Sequence, residues 1–114
     1  MKINRKMQVV IGEGAEAVNL WFRIDDHVTR FDELKRIEEE KNEIEKIRLM
    51  NQIVSNRVLK VENLFDIDEN GNEYEVTAQH IRDGKIPSYL LTLITKAFNA
   101  ENSGQKEKNL VTSA

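Results

Sequence analysis

The chain has 114 residues and no cysteine; 39% of it is apolar, 32% is charged, and the formal net charge is −3. That describes one domain with one modest core, and it excludes disulfides, thiolate chemistry and cysteine-ligated metal. The acidic balance argues against nucleic acid as the main partner, because binding phosphate takes a concentrated basic patch.

Residues 7–11 are short, apolar and rich in β-branched side chains. The run is too brief for the apolar core of a signal peptide, and no stretch approaches membrane-spanning length, so the expected location is the cytoplasm with no membrane contact. Gly12-Glu13-Gly14 follows, and then Val18, Leu20, Phe22 and Ile24 alternate with Asn19, Trp21 and Arg23. The pattern predicts two strands joined by a short glycine-containing loop, with the even positions of the second strand facing the core. Trp21 falls on the opposite face, where it either anchors a partner or packs under the chain's own carboxy-terminal helix. A lone hairpin is marginal in water, so it must lie against a helix.

Asp25-Asp26-His27-Val28 reads as a turn into that helix, with Thr29 as N-cap and Asp32 and Glu33 in the first turn. Residues 31–61 contain no Pro or Gly and are dense in Glu, Lys, Arg, Ile and Leu. As one helix they would extend roughly 46 Å, against about 30–35 Å for a compact domain of this size. Such a helix must protrude, pair with another chain, or break. Ile37, Ile44, Ile47, Met50, Val54, Val58 and Val61 fall on one face, and Ile44 is the only apolar residue from 38 to 46. The front half is therefore expected to be a solvated arm and the back half the part that enters a core. A coiled coil fits less well, since it would place Glu40 and Asn51 at core positions.

Residues 57–67 read either as a helix end followed by a loop or as a short strand. Residues 66–72 carry a strong turn signal, sharpest at Asn70-Gly71. Asp66, Asp68, Asn70 and Gly71 also match the first, third, fifth and sixth positions of an EF-hand calcium loop. The twelfth position is Thr77, which cannot supply the closing bidentate carboxylate, so a turn is expected rather than a metal site. Thr77 then caps a short helix reaching about Asp83, which Gly84 stops in a left-handed conformation. Ile86-Pro87 opens a last helix running to about Ala100, with Leu90, Leu91, Ile94, Ala97 and Phe98 on its apolar face. Residues 102–114 are mostly small and polar and are expected to be disordered, leaving residues 1–101 as the domain. The expected fold is α+β: an N-terminal β-hairpin packed on a long helix, followed by two shorter C-terminal helices.

Catalytic signatures are missing. The chain has no Gly-rich phosphate loop, no HExxH and no serine elbow, and His27 and His80 both read as surface residues. No enzyme and no cofactor are expected.

The second half resembles the tail assembly chaperones encoded in phage tail gene clusters. The resemblance runs from residue 58 to 109, through Val58-Leu59-Lys60-Val61-Glu62-Asn63-Leu64, the acidic turn from Asp66 to Gly71, Val76-Thr77, Ile86-Pro87 and Glu107-Lys108-Asn109. A Trp that many members carry near the position of Asn63 or Leu64 is absent here. The resemblance implies a non-enzymatic protein that binds the tape measure protein in the bacterial cytoplasm and keeps its long apolar helices from aggregating. Trp21, Ile47, Met50 and Val54 are the residues expected to offer apolar surface to such a protein partner, with the charged arm keeping the chain soluble. The competing expectations are a small virion subunit of the tail or head–tail connector, assembling as a homo-oligomer, and a weak calcium-binding module.

Overall fold

The computed structural model describes the backbone of residues 1–113 and the side chains of residues 1–103. The alternating segments form strands β1 (Lys6–Ile11) and β2 (Val18–Arg23), joined through a turn of 3-10 helix at Gly14–Glu16. Two helices follow, α1 (His27–Glu39) and α2 (Glu43–Ser55). Then come β3 (Val58–Glu62), β4 (Phe65–Ile67), β5 (Glu73–Glu75), α3 (Ala78–Arg82) and α4 (Ser88–Ser113). The larger sheet has the antiparallel order β1-β2-β3, and β4 and β5 pair as a separate small hairpin. The protein is thus α+β, with an amino-terminal hairpin extended to three strands.

The core lies on one face of the larger sheet. Met7 pairs with Phe22 and Val9 with Leu20, while Val58 and Val61 of β3 stand opposite the same two β2 residues. Leu20 and Phe22 are both 0% exposed, as the even-position pattern predicts. Helices α2 and α4 cover this face with Val54, Ile94 and Phe98, and the Phe22 and Phe98 rings tilt against each other with centroids 5.0 Å apart. Burying each such side chain contributes on the order of 1.5–3 kcal/mol.

The long helix breaks. Glu40 and Asn42 take extended backbone, with ψ of 120° at each, and separate two helices of 13 residues. Neither Pro nor Gly causes this. The Asn42 side chain accepts hydrogen bonds from the N–H groups of Ile44 and Glu45 and so starts a new helix, while Glu40 Oε1 accepts from the Asn42 N–H. Asparagine is among the best N-caps, and Glu43 and Glu45 in the first turn suit the helix dipole. The chain folds back at this joint, so α1 lies beside α2 instead of extending it. Val58 and Val61, expected on the helix face, sit on β3, which resolves the ambiguous stretch as strand.

The cap of α1 also differs from expectation. Asp26, not Thr29, occupies the N-cap, and its carboxylate accepts from the Thr29 N–H at 2.8 Å. That backbone bond, the Thr29 hydroxyl and the charge of Arg5 hold the Asp26 carboxyl below its usual range. A pKa lower in the folded than in the unfolded state gives stabilisation that is complete above the unfolded value and lost as pH falls through the folded one. The Thr29 amide resonance should therefore titrate with an apparent pKa below the ordinary aspartate value of about 3.9. Titration at or above that value would contradict this cap, and Asp26→Asn should abolish the transition.

Thr77 caps α3 as predicted, in a reciprocal arrangement with His80, whose Nδ1 accepts from the Thr77 N–H at 3.0 Å. Gly84 stops α3 at φ 70°, with the Gly84 N–H bonded to the Ile81 carbonyl and the Lys85 N–H to that of His80. Helix α4 opens on the Pro87 carbonyl and continues past Ala100, so at 26 residues it is the longest helix and not a shorter one. The disordered tail expected from residue 102 concerns residues whose side chains lie mostly outside the description; Ala114 lies outside the described residues altogether. Helix α4 is joined to α2 by a buried polar pair: the Thr95 hydroxyl lies 2.8 Å from Asn51 Oδ1, and Asn51 Nδ2 donates to Thr92 at 3.3 Å.

Candidate functional site

Helix α1 leaves three large apolar side chains uncovered. Every α1 side chain is exposed or half-buried, and Val28, Phe31 and Leu34 stand 67%, 61% and 47% exposed. Its inner side borders a groove of about 290 Å³ between α1, α2 and α4. Leu34, Ile37, Met50, Ile53 and Val54 supply the apolar lining, and Arg30, Asn99, Asn102 and Ser103 the polar remainder.

What holds α1 to the body is largely ionic. Arg57, at the end of α2, is 3% exposed and donates to Asp25 Oδ2 at 2.9 Å and to Glu33 of α1. Its guanidinium carbon lies 5.6 Å from the centre of the Phe98 ring. Asp25 also accepts from Arg23 at 2.8 Å. Burial draws the Arg57 pKa below its ordinary value, and Asp25 opposes that shift. One buried cation therefore ties the turn before α1, α1 itself and the core aromatic to one another. Reasoning from sequence does not single out Arg57, because its partners lie 32 and 24 residues away.

The four residues expected at a partner surface do not converge. Met50 and Val54 share the α1–α2–α4 groove, but Val54 is 3% exposed and belongs to the core, so it reaches a ligand only at the groove floor. Ile47 opens instead onto a second groove of about 530 Å³, between α2, the end of α3 and the start of α4, beside Ile44, Arg82 and Leu91. Trp21 lies on the sheet face away from the helices, half-buried, with Lys60 Nζ 5.1 Å from its ring centre. It does not pack under α4, whose Phe98 meets Phe22 on the opposite face. Phe31 and Leu34, which lie off the apolar stripe read from the sequence, stand exposed on α1, and Leu34 also lines the groove.

The acidic stretch from residue 66 forms the β4–β5 hairpin. Asp68 Oδ1 accepts from the N–H groups of Asn70 and Asn72, each at 2.9 Å, and Gly71 takes φ 81°. Asp66 accepts from the Ile67 N–H and from the Tyr74 hydroxyl, whose pKa is raised by desolvation and by that carboxylate. Among the described residues no three His, Asp or Glu side chains are grouped to hold a metal ion. No helix among the described residues is long and apolar enough to cross a membrane. No protein-family model, curated protein sequence or solved structure matches this chain.

Proposed function

We propose that this protein is a non-enzymatic tail assembly chaperone of the phage type, working in the bacterial cytoplasm, and that it receives an amphipathic helix of the tape measure protein along α1. The observation that carries the reading is the exposed stripe of Val28, Phe31 and Leu34 on a helix that buries none of its own side chains. An apolar stripe uncovered on a strongly charged chain is what a holder of apolar helices needs. The adjoining groove offers Leu34, Ile37 and Met50 to the apolar edge of such a helix, and Arg30, Asn99 and Asn102 to its polar edge. Met50 adds a side chain that adapts to more than one partner shape.

Phe31→Glu and Leu34→Glu test this. Both positions are exposed, so each variant should keep its stability to within about 0.5 kcal/mol. Each should nevertheless lose partner affinity by about tenfold or more, equivalent to about 1.4 kcal/mol. Co-expression tests the larger claim: if the tape measure protein stays equally soluble with and without this chain, the chaperone reading is wrong. Binding lost in Trp21→Ala but kept in Phe31→Glu would move the site to the outer sheet face.

A further inference from the structure

The two edges of the larger sheet differ. On the β3 side, the Val58 carbonyl accepts from Arg82 Nη1 at 2.6 Å, α3 packs alongside, and an extra residue, Leu59, interrupts the ladder where Trp21 pairs with Lys60 and Phe22 with Val58. A side-chain cap, a covering helix and a bulge are the devices by which proteins prevent a strand from pairing further. Helix α4 packs against β1 and Asn4 caps its Lys6 N–H, but the β1 edge has no bulge and, among the described residues, no side chain closing Gln8 or Val10. From Met7 to Ile11 it carries no charge and no proline.

The register shows which backbone groups β1 leaves open. The Ile24 N–H donates to the Arg5 carbonyl at 2.8 Å, in phase with Lys6 opposite Arg23. Odd-numbered residues from Arg5 to Ile11 therefore bond inward to β2, and even-numbered residues direct N–H and C=O outward. The outward N–H of Lys6 is taken by Asn4 Oδ1 at 3.0 Å, which closes that end. The N–H and C=O of Gln8 and Val10 have no partner among the described residues, and both side chains are exposed, Val10 to 54%.

We infer that β1 pairs antiparallel with β1 of a second copy of this chain, making a continuous six-stranded sheet across a two-fold axis at Val9. Facing strands bring side chains of one face together, so odd residues must meet odd and even must meet even. Centring on Val9 sets Gln8 opposite the partner's Val10, and Val10 opposite the partner's Gln8. The two pairs exchange four hydrogen bonds and use every open group of both residues. Centring on Gln8 would instead set Val10 against Lys6, whose N–H is occupied. The Val9 register also brings Arg5 of each copy toward the Gly12-Glu13 end of the other, where the charges are opposite. Both helical layers then lie on the same side of the sheet.

Sedimentation across about a hundredfold range of concentration should reveal a monomer–dimer equilibrium. Amide exchange at Gln8 and Val10 should slow by about tenfold or more on association, while Met7 and Val9 stay protected throughout. Val10→Pro deletes an outward N–H at an edge position that tolerates proline, so it should abolish the dimer and leave the monomer's melting temperature within a few degrees. Gln8→Lys with Val10→Lys sets like charges opposite each other across the junction and should also give monomers. Gln8→Glu with Val10→Lys sets opposite charges there and should restore the dimer. A strictly monomeric wild type, a dimer that survives Val10→Pro, or equal behaviour of the two charge variants would overturn the inference. So would a wild type whose Gln8 and Val10 amides are protected only by an added extended peptide, since the edge would then belong to a different partner.

Discussion

Arg57→Ala should destabilise the protein by about 3–5 kcal/mol, the usual cost of removing one member of a buried ion pair. Asp25 would keep Arg23 at 2.8 Å, but Glu33 would retain no charge partner among the described residues. The loss is thus concentrated where α1 meets the body. Chemical denaturation gives the total, and amide exchange locates it: protection in α1 should fall before protection in β2. Glu33→Gln in the Arg57→Ala background removes the stranded charge, so the double variant should be more stable than the single one. Equal stability of the two would mean that the Arg57–Glu33 contact does not hold α1. Arg57→Lys should fail to rescue, because a point ammonium cannot span Asp25 and Glu33 with the planar fork they now engage.

Phe22→Ala should be comparably severe, at about 3–5 kcal/mol, for an unrelated reason. The ring is fully buried between Met7 and Val58 on the sheet and Phe98 on α4, so its removal opens a cavity where the sheet meets the last helix. Against a total stability of about 5–15 kcal/mol for a domain of this kind, the variant should lose much of its cooperative melting transition at 37 °C. Phe31→Ala supplies the contrast, since an equally large ring 61% exposed should cost under about 1 kcal/mol. If the two variants melted alike, the burial assigned to Phe22 would be wrong.

The strands were legible because alternation is a local signal with a period of two. Leu20 and Phe22 could be placed inward and Trp21 outward before any contact was known. The break at residues 40–42 was harder to read, since nothing there forbids a helix. The available sign was Asn42 followed three residues later by Glu45, a capping pattern inside a run of strong helix formers. Asp26 stands in the same relation to Thr29, one helical turn before the cap expected. At the groove, the stripe reading joined Met50 to Val54 correctly. Ile47 shares their side of α2 but opens onto the other groove, because α1, α3 and α4 decide where each groove lies and periodicity does not place them. Val54 went inside because α4 arrives from 40 residues further along the chain, a distance that periodicity does not span. The Arg57 pairing lay beyond local reading for the same reason, as did the pairing of β3 with β2.

The polar pair between α2 and α4 indexes the last helix to one longitudinal position. A slide of one turn, about 5.4 Å, would bring either Leu91 or Asn99 to the place that Thr95 holds against Asn51. With Leu91 there, a buried amide loses its partner at a cost of about 1–3 kcal/mol. With Asn99 there, the amide finds a new partner, but Phe98 is carried a full turn away from Phe22. Each direction of travel meets its own stop, so a load applied along α4 would pass into the sheet as a rigid displacement and not be absorbed as slip between helices.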